Sequence, residues 1–246
     1  MAVGVAVVAD HDFHRFPPRS VWNLILHLAS SDFSPRNPSI SNSSNSDINH
    51  PAPILNNPPN NHRKMTDAPV AFLPLGAIIQ ELRVGGVNIV QGFPEQSQYQ
   101  SHNAPFFGET IGRVANRVKN AKLENLNGGK TYTLTANDGP NNLHGGVVGW
   151  GKRIWNGPTP VGVRQIPGVE GLEGGESVKF SLISEDGDEG FPGTVEASVV
   201  YTVGKQVQDG KEVIVLGIEY EAELVGGADE TAINMTNHSC VSDIAG

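Results

Sequence analysis

The stretch TVEASVVYTV, residues 194–203, places Val195, Ala197, Val199, Tyr201 and Val203 at every second position. A period of two puts those side chains on one face of a β-strand and the residues between them on the other. The neighbouring segments repeat the pattern. Upstream, Val178, Phe180 and Leu182 alternate, and downstream Ile214, Leu216, Ile218, Tyr220, Ala222 and Leu224 do the same. Strands with one apolar and one polar face belong to antiparallel sheets, and their number here calls for two sheets packed face to face. Further upstream, AFLPLGAIIQELRV (71–84) and VNIVQGF (87–93) are short apolar runs broken by glycine. AKLENLNGGKTYTLT (121–135) sets Asn127, Gly128 and Gly129 between two alternating segments, a hairpin signal. The reading is an all-β domain built as an antiparallel β-sandwich.

Composition narrows the function. The 246 residues carry 17 Lys+Arg against 26 Asp+Glu, a formal net charge of -9. That balance lacks the basic footprint of a nucleic-acid binder, so no nucleic-acid partner is expected. With 29 Gly and 17 Pro, turns and short strands outweigh helices. Cys240 is the one cysteine, which rules out an intrachain disulfide and fits a reducing, cytoplasmic compartment. No run approaches the roughly 18 apolar residues of a membrane span. The opening AVGVAVVA is followed directly by Asp10 and His11 and has no positive residue before it, which makes a poor signal peptide. A soluble chain without a membrane partner is expected.

Residues 33–63 are a tract of Ser, Asn and Pro too poor in large apolar side chains to offset the entropy of ordering it. SVWNLILHLA (20–29) reads as an isolated helix of two or three turns at most, or an incidental apolar patch. The chain accordingly divides near Met65 into residues 1–64, a disordered or spurious extension, and residues 65–246, the folded domain.

Four segments spend unusual residues where a plain strand or turn would not need them. FFGETIGRVANRVKN (106–120) gives Arg113 and Arg117 the same strand parity, with Asn116 between them. Spacing alone favours two solvated or carboxylate-paired arginines, although their five-donor forks could also clamp hydroxyls. NDGPNNLHGGVVGWGKRIW (137–155) follows His144 with two glycines and adds Trp150 and Trp155, flat faces of the kind on which sugar rings stack. Its plainer reading is a glycine-rich turn with a surface histidine and two core tryptophans. EDGDEGFPG (185–193) has four carboxylates in five residues but lacks the ligand spacing of a calcium loop, and reads as a tight connection between strands. In INMTNHS (233–239), Ile233 and Met235 face one way while Asn234, Thr236 and His238 share the other.

Taken together, FFGETIGRVANRV, GPNNLHGG, DGDEGFPGTVEASVVYTV and INMTNHS, in this order and spacing, resemble the aldose 1-epimerases, or galactose mutarotases. The resemblance covers residue 65 to about residue 239 and implies a large antiparallel β-sandwich whose concave face holds an aldose. It implies interconversion of the α and β anomers of aldohexoses such as glucose and galactose, with no metal or organic cofactor. By the same resemblance His238 is the catalytic acid that protonates the ring oxygen, while His144 and Arg117 bind and orient the sugar beside Asn116. The family pattern continues past this histidine to an aspartate and then to a glutamate that serves as general base. This chain instead reads CVSDIAG and stops, so the sandwich is expected to be incomplete at its C-terminal end and the 246-residue form largely inactive. The tail is expected to be read-through of an unspliced intron, and the front a gene-model extension ahead of Met65. A non-catalytic carbohydrate-binding module of the same fold is the alternative.

Overall fold

The computed structural model describes residues 19–29 and 69–241. In chain order the strands are β1 (Arg19–Ala29), β2 (Val70–Leu73), β3 (Ile78–Val84), β4 (Val87–Asn88), β5 (Thr110–Ile111), β6 (Arg117–Val118) and β7 (Lys122–Leu126). They continue as β8 (Lys130–Thr133), β9 (Asn142–Leu143), β10 (Asn156–Val163), β11 (Glu173–Ser184), β12 (Thr194–Gln208), β13 (Lys211–Gly226) and β14 (Thr236–Asn237). One short helix, α1 (Gln96–His102), lies between β4 and β5.

The alternating segments form the backbone of the fold. β10, β11, β12 and β13 pair antiparallel in spatial order with β1 on the far side of β13. Register aligns the apolar rows: Val199 stands opposite Phe180 on one side and Tyr220 on the other, and Tyr201 opposite Val178 and Ile218. Because the period is two, fixing one such row fixes the whole buried face. The long β12–β13 hairpin is closed by Asp209-Gly210, both at positive φ, the pair that a two-residue turn matching strand twist demands. Against this face lies a second layer of shorter pieces, among them the sheet β2-β3-β4, which contributes Ile79, Leu82 and Val84 to the common core. Phe72 of β2 stacks on Tyr201 at 4.4 Å between ring centroids. The architecture is an all-β sandwich, as the alternation predicts.

Two expectations are corrected. Residues 19–29 form a strand, neither an isolated helix nor an incidental apolar patch: β1 pairs with β13 from Arg19 opposite Glu223 to Ala29 opposite Val213. Leu24, Leu26 and Leu28 fall at alternate positions and pack on the core, so the same leucines that suggested a helix also satisfy a strand. Pairing then covers backbone groups that the edge of β13 would otherwise expose. Nor is the outer sheet face uniformly polar. Val213 and Val215 are buried there under Ile166 and Val169 from the connection between β10 and β11. The Ser/Asn/Pro tract 33–63 and the division near Met65 lie outside the described residues.

The acidic stretch 185–193 is the connection between β11 and β12, as read. Its carboxylates are used locally. Asp186 accepts from the N–H of Gly193 at 2.5 Å, and Asp188 accepts from Ser184 Oγ at 2.6 Å and pairs with Arg153 at 2.6 Å. Among the described residues, no helix is long and apolar enough to cross a membrane.

Candidate active site

Two very short strand pairs draw the motif segments together. β14 pairs with β5, setting Asn237 opposite Thr110, and β6 pairs with β9, setting Arg117 opposite Leu143. His238, just past β14, is gripped at both main-chain groups: its N–H donates to Glu109 O at 2.8 Å and its carbonyl accepts from Gly108 N–H at 3.1 Å. His144, just past β9, donates its N–H to Asn116 O at 2.9 Å, and its ring Nδ1 accepts from the N–H of Asn116 at 3.1 Å. Ile233 and Met235 point into the core while Asn234, Thr236 and His238 stay half-exposed, the alternation expected of this stretch.

The result is a pair of imidazoles. The rings of His144 and His238 meet edge to face, 5.2 Å between centroids and 80° between planes. Phe106 closes one side, 4.8 Å from the His144 ring and 5.8 Å from that of His238. Burial pushes the His144 imidazole down to about 4, and the charges of His238, Arg117 and Lys152 push the same way. His144 is therefore neutral at pH 7. With Nδ1 accepting from Asn116, its proton resides on Nε2, which becomes a hydrogen-bond donor.

Arg117, half-exposed and close enough for its charge to act on His144, donates through Nε to Asp138 at 2.6 Å. Asn116 contributes its main chain to His144 and adopts positive φ, which asparagine tolerates better than most residues. The turn after His144 needs both its glycines. A Cβ on Gly145, at φ 85°, would run into the carbonyl of Gly112, and one on Gly146, at φ 118°, into the carboxylate of Glu189. That close approach lets Glu189 accept from Val148 N–H at 2.8 Å and Val147 N–H at 3.2 Å, tying the turn to the connection ahead of β12.

Other sequence candidates take structural places. Arg113 is neither solvated nor a clamp for ligand hydroxyls. It is 1% exposed and donates to Ser184 O, Ser184 Oγ, Glu185 O and Pro192 O. Burial lowers its guanidinium to about 10, against the pull of Asp188 and Asp186. Trp150 and Trp155 are 2% and 1% exposed and pack edge to face in the core, with Trp155 Nε1 donating to Trp150 O at 3.0 Å. They offer no face to a sugar and are the two core tryptophans of that segment's plainer reading, whereas His144 is partly buried against Phe106 and His238. Phe106 and Glu189 are the contributors that sequence reasoning passed over, although both sit inside segments it had singled out. Among the described residues no group of three His, Cys, Asp or Glu side chains is arranged to hold a metal ion.

Residues 63–240 match the family model for aldose 1-epimerase. The chain belongs to the aldose 1-epimerase family. It is 40% identical over 167 residues to the bifunctional protein GAL10 of Pachysolen tannophilus, covering 67% of this chain and 22% of that one. Against the galactose mutarotase of Sus scrofa it is 40% identical over 153 residues, 62% of this chain and 36% of the relative. The solved structure of the GalM/aldose epimerase homologue from C. elegans superposes with a TM-score of 0.51 at 34% identity, covering 71% of this chain and 47% of that structure. The chain thus spans about a third or less of the curated relatives it matches and about half of that solved aldose 1-epimerase homologue. The fold is galactose mutarotase-like.

Proposed function

We propose that the His144–His238 pair is the sugar site of an aldose 1-epimerase acting on aldohexoses such as glucose and galactose in the cytoplasm. Interconverting anomers requires a proton to leave the anomeric hydroxyl and another to reach the ring oxygen, after which the open aldehyde rotates and recloses. Each transfer is a general acid-base step worth about a hundred- to ten-thousand-fold. His238 supplies the proton to the ring oxygen. His144, held neutral with its Nε2–H outward, donates to a sugar hydroxyl and does not itself carry the proton. Arg117, fixed through Nε by Asp138, orients the sugar, and Asn116 sets the tautomer of His144.

The observation that carries this reading is the edge-to-face meeting of two imidazoles brought from segments more than ninety residues apart in the chain. Chemically the two are inequivalent: the proton position of one is set by a main-chain donor, while the other stands at the end of a strand gripped at both main-chain groups.

Of the carboxylates tied to this corner among the described residues, Asp138 pairs with Arg117, Glu189 holds two main-chain amides, and Glu109 pairs with Lys152 through one oxygen while the other is buried. On that ground the 246-residue polypeptide binds aldoses with little or no turnover, which is also how a non-catalytic carbohydrate-binding module of this fold would behave. Polarimetry on freshly dissolved α-galactose, run beside galactose titration by calorimetry, tests both statements. Binding that is lost in His144→Ala and Arg117→Ala supports the site. Rates close to those of a full-length galactose mutarotase would refute the expected inactivity, and absence of any aldose binding would refute the site.

A further inference from the structure

Glu109 is a buried carboxylate with an unusual set of neighbours. It is 1% exposed, and Oε1 accepts from Asn103 Nδ2 at 2.7 Å and from Lys152 Nζ at 2.5 Å. Oε2 is buried without a hydrogen-bond partner among the described residues, in a space that exists because Gly151 has no side chain. Burial raises the acid to about 7, although the ammonium of Lys152 and the amide of Asn103 pull it back. Leaving half of a carboxylate unsatisfied in the interior is costly, so the arrangement calls for a reason beyond packing.

The reason lies in what Lys152 does with its remaining reach. Its Nζ also donates to Asn103 O at 2.8 Å and stands 4.5 Å from the centroid of the Phe106 ring. A partly desolvated ammonium over an aromatic face is attracted to the ring quadrupole. Phe106 is held at φ 60°, a conformation uncommon for a bulky side chain, and its ring contacts both imidazoles. Glu109 meanwhile receives the main-chain N–H of His238 on its own carbonyl. One residue therefore touches the site twice, directly through the main chain of His238 and indirectly through Lys152 and Phe106.

We propose that Glu109 and Lys152 are positioning residues: their ion pair presses the ammonium onto Phe106 and fixes the aromatic wall against which His144 and His238 are oriented. This rests on the reading of the two histidines as the sugar site. Both act through the ring of Phe106, and Glu109 also through the main chain of His238.

The test uses the full 246-residue chain with Lys152→Met, which keeps the stem and removes the charge, together with Glu109→Gln and Lys152→Arg. Two signals are read: the imidazole C–H resonances of His144 and His238, which feel the ring current of Phe106, and galactose affinity. Lys152→Met and Glu109→Gln are expected to move both sets of histidine resonances while distant amides stay in place, and to weaken galactose about tenfold. Lys152→Arg, which keeps a cation over the ring, is expected to restore both signals. Histidine resonances unchanged in folded Lys152→Met overturn the proposal, as does a shift that Lys152→Arg fails to reverse. If Lys152→Met does not fold, the resonances of Glu109→Gln decide by the same criterion. A wild-type chain that binds no galactose would remove the sugar-site reading, yet the resonances would still decide whether the clamp exists.

Discussion

The main-chain N–H of Asn116 points at Nδ1 of His144, 3.1 Å away, while the carbonyl of Asn116 receives the N–H of His144 at 2.9 Å. This reciprocal pair fixes which imidazole nitrogen bears the proton. In a histidine-selective NMR titration His144 is expected as the Nε2–H tautomer, with a midpoint near 4. A midpoint close to 6.5, or the Nδ1–H tautomer, would contradict the geometry.

The same depression has a consequence for stability. Between its ordinary 6.5 and about 4, the unfolded chain takes up a proton on this histidine that the folded chain refuses, so stability present above about pH 6.5 is lost as pH falls through that window. Glu109 works oppositely: raised from 4.5 to about 7, it favours the folded state at low pH and loses that advantage as pH rises through the interval. Urea denaturation at stepped pH should therefore show His144→Gln flattening the acid-side loss and Glu109→Gln flattening the fall toward neutrality. A pH profile identical to wild type in both variants would contradict the two shifts.

Arg113 holds the β11–β12 connection from a buried position, donating to three carbonyls and to the hydroxyls of Ser184 and Thr231. Arg113→Met should cost roughly 3–5 kcal/mol, the scale of breaking a buried charge network by removing one partner. Arg113→Lys should recover only part of it, because an ammonium lacks the planar fork. Denaturant midpoints measure this, and a loss under about 1 kcal/mol would place the residue nearer solvent than the structure does.

Trp150 is a core residue, not a sugar platform. Trp150→Ala should destabilise by roughly 3–5 kcal/mol. Trp150→Phe, which keeps most of the packing, should leave galactose affinity unchanged. A folded Trp150→Phe protein with weakened binding would restore the stacking role.

Glu189 secures the turn after His144 through two main-chain amides. Glu189→Ala should speed hydrogen exchange at Val147 and Val148 and cost roughly 0.5–1.5 kcal/mol, the net worth of a hydrogen bond where water can take the carboxylate's place. Gly146→Ala should be worse, since it combines positive φ with a collision against that carboxylate. Exchange rates at the two amides equal to wild type in Glu189→Ala would show that the turn holds itself.

How far the sequence revealed this molecule depends on the range of the contacts involved. β11, β12 and β13 were legible residue by residue because alternation is local and their partners are adjacent hairpins. β1 was not, since its partner β13 lies nearly two hundred residues away and its leucines suit a helix as well as a strand. The fates of Arg113 and Arg117 diverge for a similar reason. Their shared parity means little where the chain between them leaves regular strand geometry at Asn116, so one turns inward to Ser184 and the other outward to Asp138. Phe106 and Glu189 escaped because neither residue type announces a role: each matters through what it leans on.

β1 lies wholly outside the span matched by the family model, which begins at residue 63, yet it is an edge strand of the main sheet, paired along its length with β13 and packing Leu24, Leu26 and Leu28 on the core. A polypeptide started at Met65 would keep every family motif and lose that strand, leaving β13 with an open ladder of amides and carbonyls beside the greasy strip that the leucines of β1 cover. Such a border is a ready template for copies of itself, so a recombinant product trimmed to the recognisable family region should be the stickier one.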